Sequence, residues 1–301
     1  YRSYQDSFSV IESLIDYGIT FFDTSDSYGD GGSEKILGDF LSNYKYRSKL
    51  FITTKVGLLP HNGFYMPTNF KINYVKNKLE QSLKSLNCEY LDLYQLHSPS
   101  LDEKEDVIDS FNWLKEKKKA GLIKNIGISV RSPEDAIQFL EFIKPDFIQA
   151  NFNLIDQRFL HSGLYDICKD QKISFLARTP LAFGFLSGAL TSSKDQFDNT
   201  DHRKKWPQEQ LDIWASAPSK FNNLTNKTGM SMLTLAHKFI QNYSDVVYAT
   251  ITGMYSLSDV ASNHEAYYSE MNLNISEVEL ILKIYESNTF FIKGVKEKGP
   301  Q

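Results

Sequence analysis

Cysteine is nearly absent from this chain. Two residues in 301, Cys88 and Cys168, cannot build a disulfide framework and fit thiols kept reduced. Long apolar runs are missing too. None approaches the roughly 20 residues that a bilayer-spanning helix needs, and the opening Tyr1-Arg2-Ser3-Tyr4-Gln5-Asp6 lacks the features of a secretion signal. Neither sign of charge dominates, with 33 basic against 37 acidic residues and a net charge of −4. That balance leaves no electrostatic footprint for nucleic acid or an anionic membrane. The exclusions predict a cytoplasmic protein, with no nucleic-acid or membrane partner.

What is present describes a globular chain with a sizeable core, 41% hydrophobic and 23% charged. Aromatics, at 14%, suit a pocket and an aromatic core equally well.

The stretch Gly18-Ile19-Thr20-Phe21-Phe22-Asp23-Thr24-Ser25-Asp26-Ser27-Tyr28-Gly29 reads as a buried strand running out into a polar turn. A continuous apolar run bounded by polar residues marks a strand covered on both faces, as in a parallel sheet. A helix with apolar residues at Phe8, Ile11, Leu14 and Ile15 precedes it, and Gly18 closes that helix. A helix over Ser33–Leu41, capped by Ser33, follows. Strands and helices then alternate. Strands are expected at Lys49–Val56, Leu91–His97, Asn125–Val130, Asp146–Asn153, Ile173–Arg178 and Val246–Ile251. Helices are expected at 74–86, 103–120, from Ser132 onward, 164–169, 206–223, 231–241, 256–267 and 276–287. The polar segment Ser187–Pro207 is long enough for an active-site loop, and the Lys-rich end from Lys293 reads as loose.

There is no composition break and no linker, so residues 1–301 read as one domain. Repeated βα units over about 250 residues point to a (β/α)8 TIM barrel rather than an open sheet. Seven strands are legible, and the chain opens on a helix. The first strand is therefore expected upstream of Tyr1, ending in a Gly-rich turn beside the site, because a barrel lacking it leaves edge groups unpaired.

Polar groups stand at the ends of three consecutive strands: Asp23 with Tyr28, then Lys55, then His97. Reacting groups in parallel α/β folds gather on that rim. An ammonium beside a phenol favours phenolate, and an acid beside the ammonium holds it charged. An imidazole on the next strand can bond a carbonyl. The set suits protonation of a carbonyl oxygen while hydride arrives from elsewhere. No side chain donates hydride, so a nicotinamide is implied. Taken singly, each of these residues reads as an ordinary ion pair or cap.

Here the sequence resembles the aldo-keto reductase superfamily. Phe22-Asp23-Thr24-Ser25-Asp26-Ser27-Tyr28-Gly29 with Ser33-Glu34-Lys35-Ile36-Leu37-Gly38 matches its Asp-Thr-Ala-x-x-Tyr-Gly…Ser-Glu-x-x-Leu-Gly signature, with Ser25 for Ala. Thr53-Thr54-Lys55-Val56 and Leu91–His97 match its lysine and histidine strands. Asn125–Ser129, Gln149–Asn153, Pro180–Gly184 and Ile251–Gly253 follow in family order.

The resemblance implies Tyr28 as general acid, Lys55 and Asp23 as its tuning pair, and His97 as the group orienting a small-molecule carbonyl substrate. It implies NADP(H) or NAD(H) as cofactor, bound without a Gly-rich Rossmann loop, and no metal. Asp23, Ser129, Gln149, Arg178, Thr179, Pro180, Leu181, Gly184, Leu186, Gly253, Tyr255, Asp259 and Asn263 fall on its cofactor positions. Three departures stand out: Arg178 where an aromatic residue stacks on the nicotinamide, Val130 for Asn, and Thr252 for Pro. A guanidinium plane also stacks on rings. Asp201-His202-Arg203 reads as a solvated loop, with contact to cofactor or substrate as the alternative.

The leading reading is a carbonyl reductase, and the motif variants resemble bacterial members acting on sugar-like aldehydes. A nicotinamide-binding regulatory subunit without catalysis and an aldolase using Lys55 as a Schiff-base amine are the competing readings.

Overall fold

The computed structural model describes residues 4–45, 47–60, 66–199 and 201–292. Helix α1 (Tyr4–Asp16) leads into strand β1 (Phe21–Asp23). Then come α2 (Gly32–Ser42), β2 (Phe51–Val56), α3 (Ile72–Ser85), β3 (Leu93–His97), α4 (Lys104–Lys119), β4 (Ile126–Ser129), α5 (Pro133–Phe139) and β5 (Phe147–Asn151). Helices α6 (Arg158–His161) and α7 (Leu164–Gln171) precede β6 (Ser174–Arg178). The rest is α8 (Gln208–Ser216), α9 (Asn222–Thr228), α10 (Met232–Gln241), β7 (Val247–Ile251), α11 (Leu257–Tyr268) and α12 (Ile275–Glu286).

All seven expected strands are present. They pair in parallel, in chain order from β1 to β7, as a nearly closed barrel. Among the described residues no ladder joins β1 to β7. The expected loose segment from Lys293 and part of the loop at 57–70 lie outside the described residues.

Curvature is visible in the rings near the strand starts. Phe51 on β2 and Phe147 on β5 lie 5.9 Å apart, and Phe21 on β1 and Tyr248 on β7 lie 6.1 Å apart. Three strand spacings in a flat sheet amount to about 14 Å, so the sheet curls until rings from its first and last strands come together inside the barrel.

Strand alternation sorts the side chains. One set points outward into the large core beneath the helices, including Ile52, Tyr94, Ile128, Ile148 and Phe175. The other set points into the barrel and changes character along its axis. Phe21, Phe51, Leu93, Phe147 and Leu176 form an apolar plug. Two residues further along lie Asp23, Thr53, Gln95, Gln149 and Arg178, and beyond some of these Lys55, His97 and Asn151. Gly127 permits this layering: a Cβ there would sit 2.9 Å from the Phe147 carbonyl oxygen and 3.1 Å from Gln95.

Two local expectations differ from the structure. Ser33 does not cap α2, which has Gly31 at its N-cap with φ 86°; instead Ser33 Oγ accepts from Thr24 Oγ1 at 2.7 Å. The single helix expected over 206–223 is broken into α8, a 3-10 turn (Ala217–Phe221) and α9. Pro218 has no N–H to continue the helical ladder.

Candidate active site

The C-terminal ends of β1, β2 and β3 bring Asp23, Lys55 and His97 to one rim, and the turn after β1 returns Tyr28 over them. Lys55 is fully buried. Its ammonium donates to Asp23 Oδ2 at 2.5 Å, to the Thr24 carbonyl at 2.9 Å and to Tyr28 Oη at 3.3 Å. Burial alone would lower the Lys55 pKa, but the charge of Asp23 and then that of Tyr28 outweigh it, so the value lies above the ordinary one. The amine therefore stays an ammonium. It fills the acceptor side of the phenol and leaves the Tyr28 proton free to be donated elsewhere. Tyr28 is 38% exposed at the mouth.

His97 is buried, with its ring edge-on to Tyr28 at 5.9 Å. Its Nδ1 lies 3.2 Å from Ser25 Oγ, so the residue that departs from the usual Ala touches the imidazole. Ser25 is itself held by Ser27, 2.9 Å between hydroxyls.

Asp23 is shared across the barrel. Gln149 Nε2 on β5 donates to its Oδ1 at 3.1 Å, and Gln95 Nε2 on β3 reaches the same oxygen at 3.4 Å. Ser129 Oγ donates in turn to Gln149 Oε1 at 3.1 Å. Gln95 and Asn151 escape sequence reading as site residues. The signal was the two-residue alternation, which puts Gln95 beside His97 and Asn151 beside Gln149 on the inner face.

Arg178 extends from β6 across the neighbouring strand ends. Its Nε donates to Asn151 Oδ1 at 3.0 Å and its Nη2 to the Val130 carbonyl at 3.2 Å. Burial lowers its pKa, against the raising influence of Tyr28 and Asp23 across the mouth. The chain then turns through positive φ at Thr179 (54°), Ala182 (45°), Phe183 (58°) and Gly184 (98°). Such a run is costly for side chains other than glycine and gathers at functional loops. Pro180 and Leu186 are buried, the latter with its N–H given to the Leu181 carbonyl at 3.0 Å. Arg203 from the long loop donates to the Phe183 carbonyl at 2.8 Å and pairs with Asp201 at 2.6 Å, bracing that turn.

The remaining expected positions collect on the far side of the rim, beyond β7. Tyr255 is 70% exposed and its ring lies against Gly253, whose added Cβ would meet it at 3.3 Å. Asp259 Oδ2 accepts the Tyr255 N–H at 2.9 Å, and Ser256 caps α11 by accepting from the Asp259 N–H at 3.0 Å. Asn263 is buried between His237 Nε2 at 3.1 Å and the Asp259 carbonyl at 2.8 Å.

The donor set fits a nicotinamide carboxamide. Ser129 Oγ and Gln149 Oε1 are a hydroxyl donor and an amide acceptor, both buried and paired with each other at 3.1 Å, while the Gln149 amide nitrogen is held by Asp23. A carboxamide offers the complementary acceptor and donor.

A parallel β/α barrel with an acid, a lysine, a tyrosine and a histidine on one rim defines the class. The family model described as Aldo/keto reductase family matches residues 1–286, and the chain belongs to that family. Its members use nicotinamide cofactors. The chain is 30% identical over 238 residues to aldo-keto reductase YhdN of Bacillus subtilis, covering 78% of this chain and 70% of that one. It is 28% identical over 287 residues to an L-glyceraldehyde 3-phosphate reductase of Escherichia coli, covering 90% and 81%. The solved aldo-keto reductase AKR11C1 from Bacillus halodurans, in its holo form, superposes with a TM-score of 0.74 at 22% identity, covering 97% of this chain and 90% of that one. Among the described residues no helix is long and apolar enough to cross a membrane.

Proposed function

We propose that the protein reduces an aldehyde or ketone to an alcohol, with NAD(P)H as hydride source and Tyr28 as proton donor. One observation carries this reading: Lys55, held charged by Asp23, donates to Tyr28 Oη and leaves the phenol's own proton for the substrate. The bound nicotinamide supplies the hydride. The chain's own residues do the rest. Ser129 and Gln149 hold the carboxamide, and His97, steadied by Ser25, orients the carbonyl oxygen toward Tyr28. As that oxygen gains electron density, the phenol proton passes to it, and the ammonium 3.3 Å away stabilises the phenolate left behind.

A Schiff-base role for Lys55 is disfavoured by its raised pKa and by the three acceptors that occupy it. The relative's name suggests small sugar-like aldehydes as substrates. A panel of aldoses, keto sugars and simple aldehydes, followed by nicotinamide absorbance, tests the reading. Cofactor binding without turnover on any of them would turn it into the regulatory-subunit reading.

A further inference from the structure

Five arginines lie in the described residues, and three have a carboxylate partner: Arg47 with Asp92 at 3.0 Å, Arg158 with Asp156 at 2.7 Å and Arg203 with Asp201 at 2.6 Å. The other two, Arg131 and Arg178, have none within ion-pair distance among the described residues. Both belong to the barrel mouth. Arg131 follows Ser129 by two residues, on the loop from β4 into α5, and Arg178 ends β6.

The Arg178 side chain reaches the strand end from which Arg131 departs. Arg178 Nη2 is anchored on the carbonyl of Val130, the residue just before Arg131. With Nε on Asn151, the Arg178 hydrogen bonds among the described residues leave Nη1 without an acceptor. Arg131 Nε is buried and unpartnered. Burial, first, and the Arg178 charge, second, push the Arg131 pKa down, and Asp135 on α5 only partly opposes them. Two partly buried guanidinium groups of like charge destabilise each other, and a shared anion would relieve both the repulsion and the burial cost. Arg178 also faces Tyr28 and Asp23 closely enough for their charges to act on it, so the cationic pair borders the reacting end of the mouth.

We propose that Arg131 and Arg178 form an anion subsite for an acidic group, phosphate or carboxylate, carried by the carbonyl substrate. The inference rests on the carbonyl-reductase reading above and narrows its substrate class to anionic aldehydes or ketones. Guanidinium groups present paired donors that match either oxyanion, and Arg131 discriminates charged from neutral substrates while Tyr28 acts on both.

The test compares erythrose 4-phosphate with erythrose, and succinic semialdehyde with butanal. The protein should favour the charged member of at least one pair by tenfold or more in kcat/KM, less so at high salt. Arg131→Gln should cut that preference at least tenfold, and Arg131→Lys should keep part of it. No preference in either pair overturns the subsite, as does an Arg131→Gln variant that weakens both members equally. So does a variant that weakens NADH and NADPH binding while preserving the substrate preference, because the anion held would then belong to the cofactor. If no carbonyl in the panel is turned over, the reductase reading fails by itself, and calorimetric titration with inorganic phosphate still decides the subsite. Binding at least tenfold weaker in Arg131→Gln supports the subsite, and equal binding overturns it.

Discussion

Gln149 Nε2 donates to Asp23 Oδ1 across 3.1 Å, though 126 residues separate the two along the chain. They sit on β5 and β1, four strands apart, a distance of about 19 Å in a flat sheet. Only the curling of the sheet makes the bond, and with it Asp23 becomes the meeting point of Lys55 and Gln149. The proposed proton donor therefore depends on barrel curvature as much as on its own residues.

Removing the phenol proton tests the assignment directly. Tyr28→Phe should retain cofactor binding, followed by fluorescence, while turnover falls by at least ~100-fold. Near-normal turnover would remove Tyr28 from the mechanism.

Lys55→Met should cost both activity and stability. It leaves the Asp23 carboxylate buried without its cation, and breaking such a pair typically costs about 3–5 kcal/mol. Urea unfolding should show a lower midpoint with the slope unchanged. Lys55→Met with Asp23→Asn should recover part of the stability but none of the turnover, separating the two roles.

Ser25 makes a contact with His97 that an alanine would lack. Ser25→Ala should lower kcat by about three- to tenfold with cofactor binding kept, since the hydroxyl holds one ring nitrogen and with it the orientation of the imidazole. An unchanged kcat would mean that the contact is packing alone.

Cofactor choice follows from the turn after β7. No Lys or Arg occurs from Ile251 to Asn263, and Asp259 already accepts the Tyr255 N–H where a 2′-phosphate would draw on N–H groups. Arg203, one basic candidate from the long loop, is committed to Asp201 and the Phe183 carbonyl. A missing charge-assisted pair is worth about 1.5–3 kcal/mol. NADH and NADPH should bind within about tenfold of each other, and Tyr255→Arg should shift the ratio toward NADPH by tenfold or more. An NADPH preference well above a hundredfold in fluorescence titrations would reveal a partner elsewhere.

His237, bonded to Asn263 beyond β7, supplies an acid-sensitive element. Burial, the larger influence, lowers its pKa, and Nε2 is tied to Asn263. The unfolded chain takes up the proton first, at about pH 6.5, so the stability contribution is full above that pH and is lost as pH falls below it. Buried Asp26 and Glu34, raised chiefly by burial, act in the opposite sense at lower pH. The stability difference between the wild-type chain and His237→Gln isolates the histidine. It should shrink as the pH falls from about 7.5 to about 5.5, and a constant difference would refute this account.

The sequence by itself determined the strand count, the βα alternation and four polar side chains on three successive strand ends. Each follows from local rules: apolar runs bounded by turns, and an inner face recurring every second residue. The tertiary structure alone decided which groups touch. Ser33 reads locally as a cap but bonds Thr24, because the turn from β1 carries Gly31 into the N-cap position. Gln95 and Asn151 read as strand filler until the sheet curls and turns them toward Asp23 and Arg178. That Arg131 and Arg178 have no carboxylate within ion-pair distance among the described residues is likewise invisible in one dimension, since Glu134 and Asp135 lie close to Arg131 in sequence. Distances across a barrel are set by its curvature, and curvature is a property of all the strands together.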